Sequence, residues 1–100
     1  MSKTIKEWSE EIKRLVLAKF DPWISWETVP KACTYLHSEV SEAFEAWRDN
    51  DRELVGEELA DIAIRLFDTA NFLGYDLEAE IEKKMEYNWT RPPRHGKINV

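Results

Sequence analysis

Residues 37–64 constrain this chain more than any other stretch. Two acidic motifs, Glu39-x-x-Glu42 and Glu58-x-x-Asp61, stand on either side of the polar cluster Asp49-Asn50-Asp51. Clusters of that kind break one helix and start another. Asn50 is the midpoint of Glu39 and Asp61, and also of Glu42 and Glu58. If the flanking segments are helices folded back at Asn50, both carboxylate pairs come level and four acids converge. Two like charges ~4 Å apart at an effective dielectric of ~20 repel by roughly 4 kcal/mol, so such a cluster calls for a cation. Its donors are hard oxygens, which suit Mg²⁺, with Mn²⁺ as the alternative, rather than zinc or copper. Carboxylate-bridged di-iron chemistry needs Glu-x-x-His, and neither His37 nor His95 follows a glutamate by three.

The rest of the chain reads as helix. Thr4-Ile5-Lys6-Glu7 has the form of a capping box, and Ile5, Trp8, Ile12, Leu15, Val16 and Phe20 recur behind it at helical spacing, predicting a first helix over about residues 4–20. Asp21-Pro22 ends it. Trp23-Ile24-Ser25-Trp26 is an unusually apolar connection, packed under the fold or lining a site. Glu27 or Thr28 opens a second helix, with Pro30 tolerated in its first turn. Its apolar stripe is Val29, Cys33, Leu36, Val40, Ala43, Phe44 and Trp47, and it ends near Arg48.

A third helix restarts at Asn50 or Asp51. Its apolar residues cover more than half the circumference, which is the pattern of a central helix or one covered by a second subunit. Gly74 is placed to end it. Asp76 caps a fourth helix, which runs to about Trp89 before Pro92-Pro93, and residues from about 90 to 100 read as a tail. The expectation is a single all-α domain over residues 1–100, a four-helix bundle completed by oligomerisation, because so short a chain buries only a modest share of its surface.

The formal net charge of −6 argues against a nucleic-acid partner. The single cysteine, Cys33, excludes an internal disulfide and a cysteine-based zinc cluster. No apolar run has membrane-spanning length and no signal segment opens the sequence, which predicts a soluble cytoplasmic protein.

Helical periodicity puts Glu39 and Glu42 on the flank of the second helix's apolar stripe, and Glu58 and Asp61 beside that of the third, together with Arg65. Acids in such positions also suit an ordinary solvated face, with Asp61 and Arg65 as a surface ion pair. The C-terminal part carries the opposite charge. Lys83, Lys84, Arg91, Arg94 and Lys97 face a single acid, Glu86. A chain divided in this way can hold a metal at one part and phosphate oxygens at the other. Asn88 sits among the basic residues. Trp23, Trp26 and Trp47 are candidates for stacking on a base, although each also suits a core or an interface.

His37-Ser-Glu-Val-Ser-Glu-Ala-Phe-Glu-Ala-Trp-Arg48, then Gly56-Glu-Glu-Leu-Ala-Asp-Ile62, then Lys83-Lys-Met-Glu-Tyr-Asn-Trp-Thr-Arg-Pro-Pro-Arg-His-Gly-Lys97 resemble a MazG-like nucleotide pyrophosphohydrolase of the all-α NTP pyrophosphatase superfamily. The resemblance runs from about Pro30 to Lys97. It implies Mg²⁺-dependent hydrolysis of nucleoside or deoxynucleoside triphosphates between the α and β phosphates, in a homodimer or homotetramer. By this resemblance Glu39, Glu42, Glu58 and Asp61 match the metal ligands, with Glu39 or Glu42 as the base. Lys84, Asn88 and Arg91 match positions that contact phosphate or nucleotide, with Arg94 as a further cation. Where some relatives carry a tyrosine one turn after the motif aspartate, this chain has Arg65, which would pair with Asp61 or reach a substrate phosphate. A non-enzymatic helical module binding a partner through exposed Trp and Leu is the reading from another class. A phosphoribosyl-ATP pyrophosphohydrolase-like enzyme is the second enzymatic one.

Overall fold

The computed structural model describes residues 2–93, so Arg94, His95 and Lys97 lie outside the described residues. Four helices follow in order: α1 (Ile5–Lys19), α2 (Val29–Arg48), α3 (Arg52–Leu73) and α4 (Leu77–Thr90), with a 3₁₀ turn at Trp26–Thr28 ahead of α2. All of the described secondary structure is helical, as the periodicity predicts.

The helix ends form where local chemistry demands them. The Glu7 amide donates to Thr4 Oγ1 at 3.0 Å and the Thr4 amide to Glu7 Oε1 at 2.8 Å, completing the capping box. Asp51 accepts from the Leu54 amide and Asp76 from the Ala79 amide, each at 3.1 Å, which satisfies amides that a helix start leaves without a partner. Between α2 and α3 the chain reverses through Asn50, whose φ of 58° is left-handed, a conformation asparagine tolerates better than most residues. Gly74 ends α3 at φ 84°. Thr28 does not cap α2 with its side chain. Its hydroxyl instead accepts from the Ser25 amide at 2.8 Å and lies 3.1 Å from the Trp23 carbonyl, tying down the aromatic connection.

The α2–α3 hairpin is the centre of the molecule, and its seam differs from the predicted stripe. On α2 the buried or half-buried positions are Val29, Ala32, Leu36, Glu39, Ala43 and Ala46; on α3 they include Val55, Glu58, Ile62, Arg65, Thr69 and Phe72, and from Phe67 to Leu73 every position is buried or half-buried. Both series alternate steps of three and four, the spacing of helices packed along their length. Small alanines occupy three of the six α2 positions, so the helices approach closely there. Of the predicted stripe, Val29, Leu36 and Ala43 lie in the seam, whereas Val40, Phe44 and Trp47 are 53, 55 and 67% exposed and Cys33 is exposed. Hydrophobicity alone placed only part of the stripe, and Glu39 lies in the seam, not on its flank.

α1 packs on α3 and α4, and α4 packs on α1 and α3 without comparable contact to α2. Ser9 and Asn71 pin α1 to α3, the serine hydroxyl donating to Asn71 Oδ1 at 2.7 Å and the asparagine amide to the Ser9 carbonyl at 2.9 Å. The Lys6 amide donates to Glu78 Oε1 at 3.0 Å, fastening the start of α1 to α4. Among the described residues only Ile12, Val16, Ala32, Ala46 and Ala70 are buried. The radius of gyration is 16.0 Å, against about 13 Å for a compact chain of this length. No described helix is long and apolar enough to cross a membrane.

Candidate metal centre and adjoining cavity

The hairpin turn at Asn50 brings the two acidic motifs level. Glu39, Glu58 and Asp61 each offer a carboxylate oxygen within 4.8 Å of the others. Glu39 and Glu58 reach this spot from seam positions and are half-buried, whereas Asp61 is exposed. Glu42 is exposed, one turn along α2, and stands outside this group of three. It still acts on the group. The Glu58 carboxyl is raised above its ordinary 4.5, first by desolvation, then by the negative charges of Glu42, Asp61 and Glu39 and a side-chain bond with Glu42. Glu58 Oε1 is occluded and finds no hydrogen-bond partner among the described residues. Crowded carboxylates with one member holding its proton too tightly lack positive charge.

One cation does reach the group. Arg65 Nε donates to Glu39 Oε2 at 2.9 Å, across the hairpin rather than along α3 to Asp61. The geometry follows from the seam, where Arg65 faces α2. Its guanidinium also lies 5.0 Å from the centre of the Tyr35 ring.

Glu39 and Asp61 open onto a cavity of about 650 Å³ between the C-terminal half of α1, the Phe20–Trp23 connection, α2 and α3. Trp23 and Tyr35 meet edge-to-face in its wall with ring centres 5.5 Å apart. Lys31 Nζ stands 4.8 Å from the Trp23 ring. Asp68 lines the far side, with Oδ1 occluded and no partner among the described residues. Burial pushes its carboxyl above the ordinary 3.8, and the Arg65 charge pulls it back only in part.

The other candidates lie apart from this cavity. Trp47 sits on the outer face of α2, its ring 5.7 Å from that of Phe44, and Trp26 is exposed in the 3₁₀ turn. Neither lines the cavity, whereas Trp23 does. On α4, Lys84 and Arg91 gather on the Tyr87 ring at 5.1 and 5.4 Å. Asn88 is half-buried, with Oδ1 occluded and unpartnered among the described residues. None of these three lines the cavity. His37 is exposed and contributes to neither the acidic group nor the cavity wall.

Sequence reasoning missed Tyr35 and Asp68. Helical arithmetic held the signal, since Tyr35 is four residues before Glu39 and Asp68 three after Arg65, which keeps each on its motif's face. No family model, curated protein or solved structure matches the chain.

Proposed function

We propose that this protein is a Mg²⁺-dependent nucleoside triphosphate pyrophosphohydrolase, cleaving between the α and β phosphates to release a monophosphate and pyrophosphate. The observation that carries this reading is the group formed by Glu39, Glu58 and Asp61, three oxygen donors within 4.8 Å of one another, opening on a cavity large enough for a nucleoside. The donor set fits a hard divalent cation, and the occluded Glu58 Oε1 is an acceptor in need of one. The resemblance of the acidic motifs to MazG-like enzymes supports the same reading.

Glu39, Glu58 and Asp61, with Glu42 beside them, would hold the ion. When bound, Mg²⁺ supplies charge neutralisation on the triphosphate and a water of lowered pKa. Glu42, exposed and outside the close group, is the carboxylate best free to accept the proton of the attacking water, with Glu39 the alternative. Arg65 holds Glu39 in position from across the seam. Lys84 and Arg91, with Arg94, would offset charge on the leaving pyrophosphate, and Asn88 would hydrogen-bond phosphate or nucleotide. In one chain Lys84, Asn88 and Arg91 stand away from the cavity, so the proposal includes a homodimer or homotetramer in which a neighbour's α4 completes the site. The exposed Val40, Phe44 and Trp47 supply an apolar surface for that assembly. The setting is a cytoplasmic nucleotide pool.

The test is incubation with Mg²⁺ and a panel of NTPs and dNTPs, with products identified by ³¹P NMR. Monophosphate plus pyrophosphate is the expected outcome, and diphosphate plus phosphate contradicts the cleavage site. Asp61→Asn and Glu42→Gln are each expected to lower turnover by about a hundredfold or more while melting as cooperatively as wild type. Full activity in both removes the carboxylates from the reaction. The same exposed α2 face favours a second reading, a non-enzymatic module that docks a partner, and absence of turnover on every nucleotide would favour it.

A further inference from the structure

Asp68 has no task in the chemistry above. It is half-buried in the cavity wall, two turns beyond Asp61 on α3, with one carboxylate oxygen shut away from any donor among the described residues. An occluded acceptor without a donor is costly to the fold, and the upward push on its carboxyl is a symptom of that cost. Opposite chemistry surrounds it. Trp23 and Tyr35, packed edge-to-face against each other, contribute aromatic surface to the same cavity, on which a planar base can rest. At the other end of the cavity, Glu39 and Asp61 belong to the acidic group. A ligand with its phosphates at that group and a planar base against this aromatic surface would turn its polar edge to the Asp68 carboxylate.

We propose that this cavity is a nucleoside pocket in which Asp68 selects the base, favouring one with an exocyclic amino group, such as cytosine or adenine, over its oxo counterpart, uracil or hypoxanthine. The assignment rests on the nucleotide reading above and goes beyond it. A carboxylate only accepts hydrogen bonds. An amino group donates to it, whereas a base oxygen at the same place sets lone pairs against lone pairs and leaves the buried carboxylate unpaired. Sites that require a hydrogen bond reject the analogue that cannot make it far more strongly than apolar pockets reject a change of size.

Matched substrate pairs isolate this effect, because CTP and UTP, or ATP and ITP, differ only around that edge. The expected result is a kcat/KM at least about tenfold higher for the amino member of each pair, carried by KM. The same ratio is expected for dCTP against dUTP. Asp68→Asn, whose amide can turn a donor toward an oxo group, should collapse the ratio, mainly by raising KM for CTP. Asp68→Ser, which withdraws the carboxylate and keeps a small polar side chain, provides a second route. Equal kcat/KM within the pairs, or a ratio that survives both substitutions, overturns the proposal and assigns Asp68 to packing or a subunit contact. Calorimetry with CMP and UMP separates this outcome from failure of the hydrolytic reading. If no triphosphate is turned over, tighter CMP binding still upholds the pocket's selectivity. Equal binding, or none, removes it.

Discussion

The two faces of α2 are built on opposite principles. Toward α3 it presents three alanines and one carboxylate, Ala32, Glu39, Ala43 and Ala46, with Val29 and Leu36 near its start, and toward the outside it presents Val40, Phe44 and Trp47. The inner face lets two backbones approach closely and holds acids together where they repel. The outer face carries the bulk of apolar surface that a core would use. The acids are concentrated in the closely packed seam, and the largest apolar side chains of α2 face away from it. A chain arranged like this has a reason to associate, because association covers the outer face while leaving the seam free to bind.

Disturbing the outer face is expected to have the largest effect. Phe44→Asp should dissociate the proposed assembly and lower the melting temperature sharply, since each large apolar side chain returned to water forfeits about 1.5–3 kcal/mol. Analytical ultracentrifugation reads this directly. Unchanged sedimentation would mean that the outer face of α2 is not a subunit surface.

The inner face should respond to volume instead. Ala46 is 2% exposed, and Ala46→Leu wedges the hairpin apart, at an expected cost of about 1–3 kcal/mol in denaturant unfolding. An unchanged midpoint would show that α2 and α3 are less closely applied than their seam requires.

The charge of the seam gives a smaller and pH-dependent signal. The Glu58 carboxyl is raised above 4.5, so the folded state holds that proton more tightly than the unfolded chain does. Its contribution to stability is full below 4.5 and is lost as pH rises through the higher folded value. A cation competes with the proton. Mg²⁺ should therefore do little in acid and stabilise progressively as pH rises, reaching about 1.4 kcal/mol when present at tenfold its dissociation constant. Thermal melts with and without Mg²⁺ across the pH range test this, and a pH-independent shift would mean that binding does not involve Glu58.

The smallest effect belongs to neither face. Thr4→Ala removes the α1 capping box at an expected cost of about 1 kcal/mol. Turnover should be untouched, because α1 begins far along the chain from the residues that meet the cavity. A change in kcat would link the start of α1 to the site.

Helix ends were legible to within a residue or two. Thr4, Asp51 and Asp76 accept from amides a few positions away, Gly74 donates its own amide to carbonyls of the last turn, and the common midpoint at Asn50 brought the acids level for the same local reason. The orientation of α2 was legible only in part, at Val29, Leu36 and Ala43. Hydrophobicity pointed Val40, Phe44 and Trp47 inward, whereas close packing against α3 selected the alanine side. Arg65 followed the same rule, pairing across the seam with Glu39 instead of along its own helix with Asp61. Tyr35 and Asp68 were within reach of helical arithmetic, but nothing local marks either as facing a cavity.

The sequence by itself determined four helices, their caps and the meeting of two acidic motifs, because those depend on contacts between near neighbours and on the symmetry of a hairpin. Only the tertiary structure decided which side of each helix faces its partner, which cation reaches Glu39, and that Trp23, Tyr35 and Asp68 share one cavity. Those outcomes depend on how closely two backbones can approach, which is set by side-chain volume on both helices at once.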